Sequence, residues 1–281
     1  MKTVLVVANE TLGGRALIDA VRSRMAEGEP RFVLCVPATR PKAGLVIYDD
    51  AVFDAAQARI DLALEFAHAE GIDAVGEVGD PDPYSATIDA VREYNPDEII
   101  ISTYPETRSG WQRRDLIERV RDATGLPVEH VVGDPDSEGL PFGVTLAVAN
   151  RTASGDELFE ALKEKAQGDA HDQGRRLFIV VVPQEGGDGS ASRRARTRLK
   201  LVLRRLKAAG LFAAGTIGDP DPFTAVMNGL QFFHVDDIVI STFAETKSGW
   251  MQADLVQRVR NATGKPVEHI VHRDPASTAA S

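Results

Sequence analysis

Short apolar runs alternate with longer amphipathic segments along the first half of the chain. The apolar runs carry almost no polar alternation, which is typical of strands buried on both faces of a parallel sheet. They predict five strands, at residues 3–8, 31–36, 73–77, 98–102 and 127–132. The amphipathic segments predict helices at 14–27, 50–70, 83–94 and 111–124. Right-handed crossovers through these helices give a doubly wound α/β sheet.

The second half of the chain repeats the first. The pentapeptide Gly-Asp-Pro-Asp-Pro at 79–83 recurs at 218–222, and the offset of 218 − 79 = 139 holds without a gap through Val132 and Val271. A looser match relates 6–11 to 147–152. We therefore predict two repeated five-stranded parallel-sheet domains. Their predicted bounds are 1–133 and 142–273, with a linker at 134–141 and a flexible tail at 274–281.

The loop after the first strand is the first candidate for a binding site, because ligands of such sheets bind beyond the carboxyl ends of the strands. It contains Asn9, Thr11 and Gly13, and the repeat supplies Asn150 and Thr152. Its glycine permits close backbone approach, and the amides of the helix that follows attract anions. The loop therefore predicts a phosphate cradle. The alternative is that Asn9 or Thr11 caps that helix.

The loop after the fourth strand combines hydroxyl groups, one cation and a glycine ahead of a helix. These features suit an anion such as phosphate. Alternatively, the serine caps the helix and the cation is solvated. The candidate residues in the first half are Thr103, Arg108, Ser109 and Gly110. Their counterparts in the second half are Thr242, Lys247, Ser248 and Gly249.

Two other repeated features have structural explanations. Asp82 is placed to cap the third helix, and Pro83 suits the first helical position. His130 and His269 lie in the last predicted strand of each half without ligand-spaced Cys, His or carboxylate neighbours. No pattern of metal ligands is present in the sequence, so no metal is expected.

Composition narrows the classes of partner. The formal net charge is −10, which disfavours nucleic acid and anionic membranes and leaves small anions and other proteins. The arginine-rich stretch at 193–205 is interpreted as a solvated helix face, or as one that meets an acidic partner. No apolar stretch is long enough to span a membrane, and the single cysteine, Cys35, lies in an apolar run. A cytoplasmic location is expected.

With these elements in place, the chain resembles a tandem universal stress protein, with a fold of the adenine nucleotide alpha hydrolase-like kind. The resemblance rests on the order of elements, on Gly79-Asp80-Pro81, on the strand at 99–102 and on Pro127-Val128. It implies a role in a stress response and pairing through the last strand. The last strands of the two halves are then expected to pair as an internal pseudo-dimer, with a homodimer as a further arrangement.

The chain departs from the ATP-binding branch of that family. Those members carry an Asp after strand one and the glycine series G-x2-G-x9-G-[ST] after strand four. Here Asn9 and Asn150 stand in the first place, and Ser102, Pro105 and Asp115 fall where the glycines are required. The resemblance therefore implies that ATP is not bound in the usual mode.

These observations predict a non-catalytic module that binds a nucleotide or another phosphorylated small molecule. The alternative function is a protein-interaction scaffold whose inherited pocket is empty. A nucleotide hydrolase or nucleotidyl transferase has less support, because no repeated nucleophile, general base or metal cluster is visible in the sequence.

Overall fold

A computed structural model describes residues 1–40, 49–105, 115–168, 175–186, 189–243 and 254–272. The chain divides after Pro141 into two compact units, here called unit 1 and unit 2. Each unit contains one five-stranded sheet, and every strand pair in both sheets is parallel. The predicted fold class is confirmed.

Unit 1 has the strand order β3-β2-β1-β4-β5. Its strands are β1 (Thr3–Val7), β2 (Arg31–Pro37), β3 (Ala74–Gly79), β4 (Glu98–Thr103) and β5 (Val128–Val132). Its helices are α1 (Arg15–Glu27), α2 (Asp49–Ala69), α3 (Pro83–Tyr94), α4 (Leu116–Thr124) and the single turn α5 (Pro135–Glu138). The order reverses between β1 and β4, where chain connections leave in opposite directions.

Unit 2 has the strand order β10-β9-β6-β7-β8, which is the same arrangement read from the other edge. Its strands are β6 (Gly143–Ala149), β7 (Arg176–Pro183), β8 (Phe212–Gly218), β9 (Asp237–Phe243) and β10 (Val267–His272). Its helices are α6 (Asp156–Gln167), α7 (Gly189–Ala208), α8 (Pro222–Phe232) and α9 (Leu255–Thr263). The order reverses between β6 and β9.

The central strands are apolar on both sides because each sheet is covered by helices on both faces. In β1, Val4 and Val6 pack with α1, whereas Leu5 and Val7 pack with α3 and α4. All four side chains are at most 1% exposed. Strand β3 runs to Gly79 rather than ending at 77, because its pairing with β2 continues to that residue.

The repeated Gly-Asp-Pro-Asp-Pro turn starts α3 and α8. Asp82 accepts a hydrogen bond from the Ser85 amide at 3.0 Å, and Asp221 accepts one from the Thr224 amide at 2.9 Å. The predicted helix cap is confirmed. The glycine has a packing role, because a Cβ on Gly79 would lie 2.7 Å from the Cβ of Ala86 on α3.

Two further expectations concern the segments outside the sheets. Residues 136–139 are exposed, as predicted for a linker, but α5 forms at 135–138, and Pro135 and Pro141 are buried. Among the described helices, none combines the length and the apolar character needed to cross a membrane. Strands β5 and β10 are each an edge of their own sheet, and their pairing as a pseudo-dimer stays a prediction.

Candidate functional site

The candidate residues gather at the carboxyl edge of each sheet. In unit 1 the loop after β1 carries Asn9 and Thr11, and β4 ends at Thr103. Strands β1 and β4 are hydrogen-bonded neighbours at the point of order reversal, so these loops adjoin. Unit 2 repeats the arrangement after β6 and β9. Both edges are therefore in the position where doubly wound sheets bind ligands.

A threonine ties the two loops together in each unit. The Thr11 hydroxyl donates to the Ser102 carbonyl at 3.2 Å, and the Thr152 hydroxyl donates to the Ser241 carbonyl at 3.0 Å. Both threonines are buried. In α1 and α6 the residue before the helix is a glycine, and no side chain caps the helix. The alternative in which Asn9 or Thr11 caps α1 is therefore wrong.

The threonine at the end of the fourth strand contacts a histidine in both units. The Thr103 hydroxyl donates to the Tyr104 carbonyl at 2.9 Å and lies 2.8 Å from His130 Nε2. Thr242 Oγ1 lies 2.8 Å from His269 Nε2. Burial lowers the pKa of His269, and the nearby charge of Arg260 lowers it further. Both pairs join the edge strand to its neighbour, which fits the structural role predicted for these histidines.

The remaining predicted site residues fall in loops that lie outside the described residues. They are Arg108, Ser109, Gly110, Lys247, Ser248 and Gly249. Their proposed contribution to an anion site stays a prediction. Gly13 does lie in a described loop, and its φ of 93° is a left-handed conformation that favours glycine.

Asn9 and Asn150 occupy equivalent positions but have different surroundings. Asn9 is 7% exposed, and its buried side-chain oxygen Oδ1 has no hydrogen-bond partner. Asn150 Oδ1 accepts a hydrogen bond from Arg198 Nη1 at 2.6 Å, and Arg198 Nη2 lies 3.2 Å from Glu185 Oε2. A buried acceptor without a donor costs roughly 1–3 kcal/mol. The Asn9 oxygen of unit 1 therefore lacks a donor, whereas Arg198 provides one for the Asn150 oxygen of unit 2.

The arginine is repeated, although its carboxylate partner is not. The offset of 139 maps Arg198 onto Arg59 of α2. Burial lowers the pKa of Arg59 to about 10, and Glu10 and Tyr104 oppose that shift, so the side chain is a cation at neutral pH. These two neighbours follow β1 and β4, which places Arg59 at the same edge as Asn9. Thr39 stands where unit 2 has Glu185.

The helices that begin at these edges also differ in charge. The first turn of α1 contains no acidic residue, whereas α6 begins with Asp156 and Glu157. Arg15 occupies the position of Asp156. A helix amino terminus attracts anions. The two carboxylates of α6 place negative charge at that helix start and would repel a phosphate. The first turn of α1 has no acidic residue.

Among the described residues, unit 2 has a buried series of hydrogen bonds that unit 1 does not repeat. Ser241 Oγ lies 2.8 Å from His272 Nε2, and His272 Nδ1 lies 2.8 Å from Glu157 Oε2. In unit 1 the equivalent residues are Gly133 and Ala16 in place of His272 and Glu157, and a Cβ on Gly133 would lie 3.7 Å from the Ala16 Cβ. Unit 1 therefore has neither side chain of this contact.

This Ser-His-Glu order is also that of a nucleophilic triad. Ser241 is 1% exposed and His272 is 3% exposed. Ser241 Oγ also lies 2.8 Å from the Thr152 hydroxyl. Burial lowers the pKa of His272, against the opposing influence of Glu157. Because Ser241 and His272 are both buried, this series of hydrogen bonds links β9, β10 and α6 within unit 2.

Sequence reasoning missed four residues at these edges. Arg59 and Arg198 had a usable signal, because the offset of 139 extends through α2 and α7 and retains this arginine where most neighbouring charges differ. His272 and Glu157 had none, because the repeat places Gly133 and Ala16 opposite them. Within the described part of the chain, no group of three or more His, Cys, Asp or Glu side chains could hold a metal ion.

The fold defines a tandem of two doubly wound α/β units, each with polar residues at the sheet edge where such folds bind ligands. No family model matches the sequence, and no curated protein matches it. Among solved structures, the chain is similar to a universal stress protein from Archaeoglobus fulgidus DSM 4304, at 16% identity and a TM-score of 0.36 with 97% of each chain covered.

Two solved structures from Pseudomonas aeruginosa are also similar. One is a putative universal stress protein from strain UCBPP-PA14, at 16% identity and a TM-score of 0.34, covering 96% of this chain and 93% of the other. A functionally unknown protein from strain PAO1 has 18% identity and a TM-score of 0.33, with coverages of 99% and 95%. Two of these three structures are named universal stress proteins, and the fold class of this chain rests on its own strand orders.

Proposed function

We propose that this chain is a non-catalytic binding module that takes a nucleotide or another phosphorylated small molecule at the carboxyl edge of unit 1. The observation that carries the proposal is the buried, unpartnered Oδ1 of Asn9 at the point where the strand order reverses. A ligand N–H group that donates to this oxygen would remove the cost of leaving it unpaired. Such a module fits the stress-response role that the sequence resemblance implies.

Three features of the edge favour a ligand that has both an N–H donor and a phosphate. Asn9 supplies an acceptor, which suits an amino group such as that of a nucleobase. Arg59 supplies a positive charge at the same edge. The amino terminus of α1 has neither a side-chain cap nor an acidic first turn, and the amides of a helix start suit phosphate oxygens. A nucleotide satisfies all three at once.

The equivalent edge of unit 2 is filled by its own side chains. Arg198 takes the Asn150 oxygen, Asp156 begins α6, and His272 occupies the space beside it. Of the two carboxyl edges, we therefore expect that of unit 1 alone to bind this ligand. The glycine series of the ATP-binding branch is not needed for this mode.

A thermal-shift titration with ATP, ADP, AMP and inorganic phosphate tests the proposal. Binding to the native state raises the melting midpoint, by an amount that grows with ligand concentration. Asn9→Ala should abolish the shift given by AMP, which carries a single phosphate, without lowering the midpoint of the unliganded protein, because the oxygen it removes has no partner. Asn150→Ala is the matched control. It should keep the shift but lower the unliganded midpoint, since Arg198 loses its acceptor.

Other outcomes would replace the proposal. If the shift survives Asn9→Ala and disappears with Asn150→Ala, the ligand occupies unit 2 instead. If none of the four compounds moves the midpoint, a scaffold with an empty pocket becomes the better account. Release of product from ATP, measured on the purified chain, would make the protein an enzyme.

A further inference from the structure

Unit 2 has a surface pocket on α7 that shares no residue with the site proposed for unit 1. Its volume is about 400 Å³, and it is widely open to solvent. The lining consists of three arginines and two hydroxyl residues from the first half of the helix. They are Ser190, Arg193, Arg194, Thr197 and Arg198.

The pocket is strongly cationic although the whole chain is acidic. Glu185 is the one carboxylate that the described structure pairs with its guanidinium groups, at 3.8 Å from Arg194 Nε and 3.2 Å from Arg198 Nη2. Three guanidinium groups against one carboxylate leave a local excess of two positive charges. Crowding like charges on one helix face destabilises the helix slightly unless an anion compensates.

Two of the arginines are held in place before any ligand arrives. Arg198 is fixed by Asn150 and Glu185, and only a quarter of its side chain is exposed. Arg194 donates to Ser190 Oγ at 2.8 Å, while half of its side chain is exposed. A preorganised guanidinium loses less freedom on binding an anion than a mobile one does.

The repeat shows that this pocket is not inherited from the fold. At the positions of Arg193, Arg194 and Thr197, the offset of 139 places Asp54, Ala55 and Ala58 on α2. Of the three arginines, only Arg198 has an arginine counterpart on α2, namely Arg59. The cationic lining is therefore specific to unit 2.

We propose that the α7 pocket binds a small anion that carries at least two phosphate groups. Guanidinium groups bind phosphate through paired N–H donors. The local excess of two charges matches a ligand with more than one anionic group. The pocket's size and the net charge of −10 favour a small molecule over nucleic acid.

Isothermal titration of the full-length chain with pyrophosphate, at about 0.15 M ionic strength, tests this inference. We expect a Kd below about 1 mM, and weakening by at least about tenfold in Arg193→Gln and in Arg194→Gln. Lys200→Gln is the matched control, because it removes one exposed cation of the same helix that does not line the pocket. It should change the Kd by less than about twofold.

The Asn9→Ala variant separates this site from the one proposed for unit 1. Pyrophosphate binding should be unchanged in that variant, even where nucleotide binding is lost. The inference is overturned if wild-type protein does not bind pyrophosphate. It is also overturned if Lys200→Gln weakens binding as much as Arg194→Gln, which would indicate a general field effect. Equal binding of citrate would show that the pocket selects charge and not phosphate.

Discussion

Replacing His272 with alanine tests whether the buried chain in unit 2 stabilises the protein. The imidazole is 3% exposed, and it contacts Ser241 and Glu157 at 2.8 Å each. It also packs tightly, because a Cβ built on Gly155 would lie 2.3 Å from its Cε1 atom. Alanine removes the ring and both hydrogen bonds but retains the backbone and its pairing with β9.

The expected cost follows from the contacts that are lost. The void left by the ring costs about 2 kcal/mol, as for other large-to-small changes in a core. Loss of the hydrogen bond to Ser241 adds about 1 kcal/mol. Glu157 adds little, because 45% of its side chain is exposed and water can replace the imidazole. The free energy of unfolding of unit 2 should therefore fall by about 3 kcal/mol.

Native-state hydrogen exchange is the suitable assay, since the two units can unfold separately and a single midpoint would mix them. Amides of β10 should exchange roughly 100-fold faster in His272→Ala than in the wild type, because each 1.4 kcal/mol is a factor of ten. Gly133→Ala is the matched change in unit 1. Its new Cβ would make an ordinary 3.7 Å contact, so exchange in β5 should change by less than about threefold.

Exchange in β10 that accelerates less than about fivefold would refute the reasoning. It would mean that the ring contributes little packing and that the hydrogen bonds are replaced by water. Acceleration in β5 equal to that in β10 would instead show that the effect is not confined to unit 2.

Three further predictions follow from the same contacts. Burial lowers the pKa of His272, so as the pH falls below about 6.5 the unfolded chain takes up a proton before the folded protein does. The free energy of unfolding therefore decreases below that pH. His272→Gln should make the urea midpoint less dependent on pH between 7 and 5. Thr152→Val should destabilise unit 2 by about 2 kcal/mol in hydrogen exchange, because the Thr152 hydroxyl contacts both the backbone and the side chain of Ser241. Thr11→Val should destabilise unit 1 by about 1 kcal/mol, because among the described residues the Thr11 hydroxyl contacts only the Ser102 carbonyl. Gly215→Ala should lower the free energy of unfolding in urea by about 3 kcal/mol, because the new Cβ would lie 2.1 Å from a backbone oxygen of β7. Gly28→Ala is the control and should be neutral, because its Cβ would meet nothing within 4 Å.

The fold could be predicted because its determinants are local or repeated. Apolar runs without polar alternation marked the strands, and the Gly-Asp-Pro-Asp-Pro turn marked the start of α3 and α8. The error at the end of β3 has a tertiary cause. Gly76 and Gly79 are poor strand formers by themselves, but pairing with β2 and the close approach of the neighbouring helices keep them in the sheet.

The site could be predicted only as a location. Strand topology placed Asn9 and Asn150 at the correct edges, but their partners depend on distances between segments that are remote in sequence. Arg198 reaches Asn150 from α7, and nothing near either residue in the sequence indicates the contact. The bond between His272 and Glu157 is equally remote, and the repeat offers no precedent for it.

The two units differ in how the polar groups at the same edge are paired. Unit 2 meets its polar requirements with its own residues: an arginine satisfies Asn150, acidic residues begin α6, and His272 fills the space that Gly133 leaves open in unit 1. Each of these contacts stabilises unit 2 and also occupies a position that a ligand would need. Unit 1 retains a buried acceptor without a donor, which lowers its stability as long as no ligand is bound. A cost of this kind is expected at a binding site, because a ligand that donates to the acceptor removes it. Unit 1, whose buried acceptor has no donor, is therefore the better candidate for the ligand.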